Sequence, residues 1–201
     1  MFTTIISLGY HSIAIAQPCK ILIFGDSLSA AYGIPIEQGW VSLLKTRLNE
    51  KHHHCEVVNA SISGETTAGG LTRLPNVLKQ HQPTFMLLEL GANDGLRGLP
   101  IASMQNNLQR IIHLAQEHKI QTLLIGMQIP PNYGLNYAQR FSQTFKTLAK
   151  DNQLSWVPFM LEGFALDPQL FLNDGIHPNA QAQPIILNTI WQQLEPMLKG
   201  K

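Results

Sequence analysis

The sequence has little charge, and neither sign of charge dominates. Only 13% of the 201 residues are charged, and 14 Lys and Arg stand against 13 Asp and Glu. A chain with a formal net charge of +1 has no long-range field that would attract an anionic polymer. We therefore expect no nucleic acid among its partners.

Long apolar stretches, fixed-period repeats and low-complexity tracts are also missing. The apolar stretch near the amino terminus, residues 5–10, is too short to span a bilayer, so we expect no stable membrane insertion. With 44% hydrophobic residues among 201, the chain can bury a sizeable core in a single domain. Disordered and solenoid architectures are disfavoured.

Two common catalytic motifs are absent. Neither Gly-x-Ser-x-Gly, the nucleophile motif of ordinary α/β-hydrolases, nor the phosphate-binding Gly-x-x-x-x-Gly-Lys occurs. Three consecutive histidines occupy residues 52–54, but sequence neighbours cannot all face one point, and no second ligand cluster has matching spacing. We predict a solvated loop there and no metal site.

Cysteine is scarce, and the amino terminus has features of a leader. Residues 1–16 end in Ala-Ile-Ala, which fits the small-x-small rule for signal cleavage, although no Lys or Arg precedes the apolar stretch. We expect a signal peptide at 1–16 and a periplasmic domain at 17–201; the alternative is an ordinary leading segment and a cytoplasmic protein. After export Cys19 and Cys55 could form a disulfide, and otherwise they would be two buried thiols.

Short apolar runs alternate with amphipathic stretches along the chain. Predicted strands occupy residues 21–24, 56–60, 85–90, 122–127 and 156–159. Predicted helices occupy residues 38–50, 72–80 (with Pro75 near its start), 103–119, 137–151 and 182–198. This alternation is typical of the α/β class, with a parallel sheet and helices on both of its faces.

A serine stands at the carboxyl end of the first predicted strand. Ser27 follows Gly25 and Asp26, and the carboxyl edge of an open parallel sheet is where ligands bind. We expect Gly25 to allow a sharp backbone turn that presents Ser27 as a nucleophile. The alternative is that Gly-Asp-Ser is simply a turn, since these residues are common in turns.

The same edge offers a base, an orienting carboxylate and anion-binding donors. His177 follows Asp174 by three residues, close enough for the carboxylate to reach the imidazole. The N–H of Ser27, the N–H of Gly64 and the side-chain amide of Asn93 are candidate donors to an oxyanion. A capping or surface role for His177, and turn roles for Gly64 and Asn93, remain the alternatives.

Four sequence blocks, in this order, resemble those of the GDSL or SGNH hydrolases, a family named for Ser, Gly, Asn and His. They are Gly-Asp-Ser-Leu at 25–28, Gly64 after Ser-x-Ser, Gly-x-Asn-Asp at 91–94 and Asp-x-x-His-Pro at 174–178. Loops at residues 93–98, 131–134 and 174–179 are similar to those of the bacterial thioesterase I/protease I/lysophospholipase (arylesterase) group.

The resemblance implies a flavodoxin-like three-layer α/β/α sandwich with five parallel strands and neither a metal nor an organic cofactor. It implies Ser27 as nucleophile, His177 as base and Asp174 as its orienter. It also implies an oxyanion hole made of the Ser27 N–H, the Gly64 N–H and the Asn93 amide. The loop at residues 95–100 corresponds to one that moves over the acyl chain in that family.

We accordingly expect a monomeric serine hydrolase of small-molecule esters and thioesters: acyl-CoA-type thioesters, lysophospholipids, and aryl or alkyl esters. The residues expected to meet the acyl chain are Leu96, Leu99, Ile129, Pro130, Tyr133 and Ile176. Arg97 is expected either to meet an anionic part of the substrate or to be a solvated surface residue. The alternatives are a carbohydrate acetyl esterase and a non-catalytic lipid- or glycan-binding module on the same scaffold.

Overall fold

The computed structural model describes residues 18–199, which contain a five-stranded parallel sheet. The strands are β1 (Cys19–Gly25), β2 (Cys55–Asn59), β3 (Phe85–Glu89), β4 (Gln121–Ile125) and β5 (Ser155–Val157). Their order across the sheet is β2-β1-β3-β4-β5, and every neighbouring pair is parallel. This doubly wound order confirms the α/β class and the flavodoxin-like sheet.

The central strands are buried because helices cover both faces of the sheet. Every residue of β3 is buried, and Ile21, Leu22, Ile23 and Phe24 of β1 have no exposed surface. Continuous apolar runs of this kind are what a strand needs when it meets helices above and below. The core therefore lies on both sides of β1 and β3, and their carboxyl ends are held rigidly.

Within residues 18–199, six helices make up the two outer layers. They are α1 (Trp40–Glu50), α2 (Thr67–His81), α3 (Ala92–Leu96), α4 (Ile101–Glu117), α5 (Leu135–Asp151) and α6 (Gln183–Lys199). Helix α1 packs on α6, whereas α2 packs on α4 and α4 packs on α5. Short 3-10 helices lie at Ile36–Gln38, Pro131–Tyr133 and Pro168–Leu170.

Helix α2 differs most from the sequence prediction. It begins at Thr67, five residues before the predicted start, so that Pro75 lies inside the helix and not near its beginning. The Thr66 side chain caps the amino terminus by accepting a hydrogen bond from the Gly69 N–H, at 3.4 Å. The glycines at 69 and 70 disfavour a helix by intrinsic propensity, and tertiary packing overrides that preference.

A disulfide joins Cys19 and Cys55 at the starts of β1 and β2, which are register partners in the sheet. Of the two alternatives for these cysteines, the structure therefore has the paired form. Among residues 18–199, no helix is long and apolar enough to span a membrane. The expected signal peptide, residues 1–16, lies outside the described residues.

Candidate active site

Ser27 is the second residue after β1, at the carboxyl edge of the sheet, and 9% of its surface is exposed. Gly25 does not adopt the left-handed backbone conformation, so the expected sharp turn is not its role. A Cβ at Gly25 would lie 2.5 Å from Oε2 of Glu89 and 2.8 Å from Oγ of Ser29. Glycine is needed there because the buried Glu89 carboxyl group occupies the space beside the strand.

His177 reaches Ser27 from a distant loop. Its Nε2 lies 3.0 Å from the Ser27 Oγ, although the two residues are 150 positions apart in the chain. A bridge between Phe171 and Pro178 and a hydrogen bond from the Leu172 N–H to the His177 carbonyl shape this loop. The sheet edge and the loop before α6 thus bring a hydroxyl and an imidazole within hydrogen-bond distance.

Asp174 holds the other side of the imidazole. Its Oδ2 lies 2.7 Å from the His177 Nδ1, and its Oδ1 accepts hydrogen bonds from the backbone N–H groups of Ile176 and His177. The His177 backbone hydrogen bond contributes most to lowering the pKa of Asp174 to about 2. An ionised Asp174 favours a proton on Nδ1, which leaves Nε2 free to accept the hydroxyl proton of Ser27.

Three N–H donors lie at the same edge of the sheet. The Asn93 amide donates to Oδ2 of Asp26 at 3.0 Å, and an amide nitrogen has a second N–H. Within residues 18–199, the backbone N–H groups of Ser27 and Gly64 make no hydrogen bond. Gly64 adopts φ +78°, which favours glycine. These donors suit an oxygen that becomes negative during reaction.

Residues 23–184 match the GDSL-like Lipase/Acylhydrolase family. The chain belongs to this family. It is 45% identical over 178 residues to the esterase TesA of Pseudomonas aeruginosa, covering 89% of each chain. It is 43% identical over 178 residues to the thioesterase 1/protease 1/lysophospholipase L1 of Escherichia coli, covering 89% of this chain and 84% of that one. The family and the enzyme class predicted from the sequence blocks are confirmed.

A solved structure agrees with the fold of this GDSL-like hydrolase. The psychrotrophic esterase EstA from Pseudoalteromonas sp., in a form inhibited by monoethylphosphonate, superposes with a TM-score of 0.85. It is 42% identical and covers 90% of this chain and 98% of its own. The SGNH-type sandwich expected from the sequence is therefore confirmed.

A cavity of about 1120 Å³ lies at the carboxyl edge of the sheet, where residues that follow β3, β4 and β5 line it; Ser27 and His177 are not part of this lining. Gly175 and Ile176 of its lining precede His177 in the chain, and Ala92 of its lining precedes Asn93. Of the seven residues expected to contact substrate, four line this cavity: Leu96, Ile129, Pro130 and Ile176. The other three, Arg97, Leu99 and Tyr133, are not part of its lining.

Much of the cavity wall comes from a segment that the sequence patterns did not single out. The segment follows β5 and contributes apolar side chains, among them Phe159, Leu161, Phe164, Leu166 and Phe171. Leu166 is 98% exposed, so an apolar side chain stands at the opening of the cavity. The density of Phe and Leu between residues 159 and 172 is the signal that could have identified it.

Arg97 contacts the loop that carries Gly64. Its side chain is exposed, and its Nη2 donates a hydrogen bond to the Gly64 carbonyl at 2.9 Å. Two residues further on, the Leu99 carbonyl accepts a hydrogen bond from the Tyr137 hydroxyl at 2.8 Å. The segment expected to act as a mobile lid is thus attached at both of these points.

Tyr32 is a site residue that sequence reasoning missed. Its ring stacks on His177 with the two ring centres 4.4 Å apart and the planes tilted by 37°. Tyr32 lies in the segment between β1 and α1, and nothing in its local sequence indicates that a loop 145 positions later returns to it. The contact adds to the two hydrogen bonds that orient the imidazole.

The part of the chain that the structure covers, residues 18–199, has no group of three or more His, Cys, Asp or Glu side chains that could hold a metal ion. The histidines at 52–54 lie in the turn between α1 and β2.

Proposed function

We propose that this chain hydrolyses carboxylic esters and thioesters through an acyl-enzyme formed on Ser27. The observation that carries the proposal is the continuous contact from Asp174 to His177 to the Ser27 hydroxyl, at 2.7 and 3.0 Å. Such a chain of groups activates a serine for attack on an acyl carbonyl.

In the first step, His177 Nε2 takes the hydroxyl proton while Ser27 Oγ forms a bond to the acyl carbon. The carbonyl oxygen becomes negative and accepts hydrogen bonds from the N–H groups of Ser27, Gly64 and Asn93. His177 then gives its proton to the leaving alcohol or thiol as the bond to that group breaks. Asp174 stays ionised and stabilises the imidazolium throughout.

Water completes the cycle. His177 takes a proton from the water, whose oxygen attacks the acyl-enzyme, and the same three N–H groups hold the second oxyanion. His177 returns the proton to Ser27 Oγ, which releases the carboxylic acid and restores the enzyme. Each half of the reaction therefore uses the same residues.

The cavity favours substrates with a long acyl chain over acetyl esters. Its volume of about 1120 Å³ and its apolar wall can accept many methylene groups. Each buried methylene contributes about 0.8 kcal/mol, so kcat/KM should rise about fourfold per methylene until the cavity is filled. This, together with relatives named as a thioesterase and a lysophospholipase, supports acyl thioesters and lysophospholipids as substrates.

A series of p-nitrophenyl esters from acetyl to decanoyl, measured beside acyl-CoA, tests this substrate class. A preference for acetyl over octanoyl esters would instead identify the carbohydrate acetyl esterase alternative.

Ser27→Ala tests the acyl-enzyme. We expect the variant to fold normally and to lose about 10⁵-fold or more in kcat, because the nucleophile is gone. A fluorophosphonate probe should label the unmodified protein and Ser103→Ala, an exposed serine in α4, but not Ser27→Ala. If the probe does not label the unmodified protein, a non-catalytic lipid- or glycan-binding module becomes the better account.

We also propose export to the periplasm as a monomer after removal of residues 1–16. The Cys19–Cys55 disulfide supports an oxidising compartment. Mass spectrometry of the secreted protein should show a new amino terminus at Gln17, and thiol titration without reductant should find no free cysteine. Sedimentation at equilibrium measures the oligomeric state.

A further inference from the structure

Two carboxyl groups lie buried behind the nucleophile and outside the Ser27–His177–Asp174 chain. Asp26, which precedes Ser27, is 1% exposed, and Glu89, the last residue of β3, is not exposed at all. Gly25 and Glu89 are register partners in the sheet, so the two acids meet where β1 and β3 end. Buried carboxyl groups are costly unless they are hydrogen-bonded or neutral, and this pair therefore calls for an explanation.

Glu89 contacts residues on both sides of Ser27. Its Oε2 accepts a hydrogen bond from the Asp26 N–H at 3.1 Å and another from the Ser29 hydroxyl at 2.7 Å. These contacts come from residues one position before and two positions after the nucleophile. Glu89 thus fixes the turn that carries the Ser27 hydroxyl and N–H.

Asp26 orients an oxyanion donor. Its Oδ2 accepts the hydrogen bond from the Asn93 amide at 3.0 Å, and its Oδ1 accepts one from the Leu28 N–H at 3.0 Å. Both oxygens act as acceptors, which suits an ionised carboxylate. The bond to Asp26 uses one N–H of Asn93 and sets the direction of the other.

Of the four carboxyl oxygens of Asp26 and Glu89, Oε1 of Glu89 takes part in none of these hydrogen bonds. It is buried and, among residues 18–199, has no hydrogen-bond partner. The carboxyl groups of Asp26 and Glu89 interact directly. Two adjacent buried anions repel each other, whereas a proton on Oε1 would remove the repulsion and provide the missing donor.

The electrostatic surroundings favour the same arrangement. Burial, followed by the charge of Asp26, raises the pKa of Glu89 well above 4.5. Burial also raises the pKa of Asp26, but only to about 6, because the hydrogen bonds from Leu28 and Asn93 and the charge of His177 favour its ionised form. Within residues 18–199, the charges that change the pKa values of this pair are that of Asp26 on Glu89 and that of His177 on Asp26.

We propose that Glu89 is a neutral carboxylic acid at pH 7 that donates its proton to the Asp26 carboxylate, and that this pair positions the Asn93 amide for the oxyanion. Glu89 and Asp26 are positioning residues, since neither touches the acyl group. The catalytic part of this inference rests on the proposed function, whereas the location of the proton does not.

A matched pair of amide substitutions locates the proton. In Glu89→Gln the side-chain oxygen can still accept from Asp26 N–H and Ser29, and the new NH₂ can donate to the Asp26 carboxylate. In Asp26→Asn an NH₂ must instead face either the Leu28 N–H or the Asn93 amide. We expect Glu89→Gln to retain at least a third of kcat, and Asp26→Asn to lose about 10- to 100-fold in kcat with little change in KM.

The pH dependence of stability gives a readout that does not need catalysis. Above about pH 4.5 an unfolded Glu89 releases its proton while the folded one keeps it. The unfolded state then binds fewer protons, so this residue makes the unmodified protein less stable as pH rises. The difference in unfolding free energy, Glu89→Gln minus the unmodified protein, should therefore increase with each pH unit from 5 to 8. Glu50→Gln, exposed in α1, should give a constant difference.

Three results would overturn the proposal. Loss of kcat in Glu89→Gln with tolerance of Asp26→Asn would place the proton on Asp26. A stability difference between Glu89→Gln and the unmodified protein that does not vary with pH, or a Glu89→Gln protein that fails to fold, would mean that Glu89 is ionised. If Asn93→Ala keeps full activity, the oxyanion assignment fails, and the stability measurement still decides where the proton lies.

Discussion

Ser27 is flanked by carboxyl groups in two contrasting environments. On the His177 side, the Asp174 side chain is 38% exposed, and backbone N–H groups hold its pKa down to about 2. On the opposite side, Asp26 is 1% exposed, and burial raises its pKa to about 6. Within one site, the pKa of one aspartate is thus lowered and that of the other is raised.

Around Ser27, hydrogen-bond donors lower the pKa of one carboxyl group, whereas burial raises the pKa of the others. Where N–H donors meet a carboxylate near solvent, the charge is retained and can stabilise an imidazolium. Where carboxyl groups are removed from water and lie side by side, one of them is better kept neutral. In the proposed mechanism, the exposed side transfers protons during the reaction, and the buried side positions the N–H donors.

Asp174→Asn should have the largest effect on kcat, because it removes the negative charge beside His177. An amide can donate to Nδ1 and so favour the wrong tautomer of His177. We expect kcat to fall about 10³- to 10⁴-fold with little change in KM, as measured with a p-nitrophenyl ester. Asp151→Asn, exposed at the end of α5, is the control. A loss below tenfold would mean that Asp174 does not orient the base.

Asn93→Ala should have the next largest effect, because it removes a donor from the buried side. Loss of one oxyanion donor lowers kcat by about 10²- to 10³-fold, and KM should change little because the bond forms mainly in the transition state. Asn49→Ala, on the exposed face of α1, is the matched control. A change confined to KM would contradict the oxyanion role.

Arg97→Met should have a smaller effect that separates two roles for this side chain. If Arg97 holds the loop that carries Gly64 in place through the Gly64 carbonyl, kcat should fall about threefold to tenfold for every substrate. If it instead binds an anionic part of the substrate, KM should rise for acyl-CoA and stay unchanged for p-nitrophenyl esters. Arg110→Met, exposed in α4, controls for the lost charge.

The smallest expected effect is on the pH dependence of stability. Asp174 and Glu89 should change the free energy of unfolding in opposite directions as pH rises. The folded pKa of Asp174 is lowered from 3.8 to about 2, so its contribution is fully present above about pH 4 and is lost as pH falls toward 2. The difference in unfolding free energy between the unmodified protein and Asp174→Asn should shrink over that range. For Glu89→Gln, the same difference, unmodified protein minus variant, instead falls as pH rises from 5 to 8. Urea titrations at each pH measure both stability differences. If the two differences change in the same direction with pH, the contrast between Asp174 and Glu89 is wrong.

The exposed side of the site could be predicted from sequence because its contacts are local. Asp174 and His177 are three residues apart, and their hydrogen bonds form within one loop. Ser27 could also be found, since a buried strand that ends in a small polar residue marks the edge of the sheet. The family blocks then added Gly64 and Asn93.

The buried side could not be predicted, because its contacts join residues that are distant in the chain. Glu89 lies in an apolar strand and reaches Asp26 and Ser29 across 60 or more positions. The spacing of residues in the sequence carries no signal for such a contact. The role of Gly25 was misread for the same reason, since the side chain that requires a glycine there belongs to another strand.

The sequence by itself determined the α/β class, the catalytic serine and histidine candidates and the family, because strand periodicity and short motifs are local properties of the chain. Only the tertiary structure decided how α2 begins, which side chains line the cavity and what surrounds the nucleophile. Those features depend on which segments the sheet brings together, and packing between distant residues overrides local preference. The proton proposed for Glu89 belongs to this second group, since only burial beside Asp26 distinguishes this acid from an ordinary glutamate.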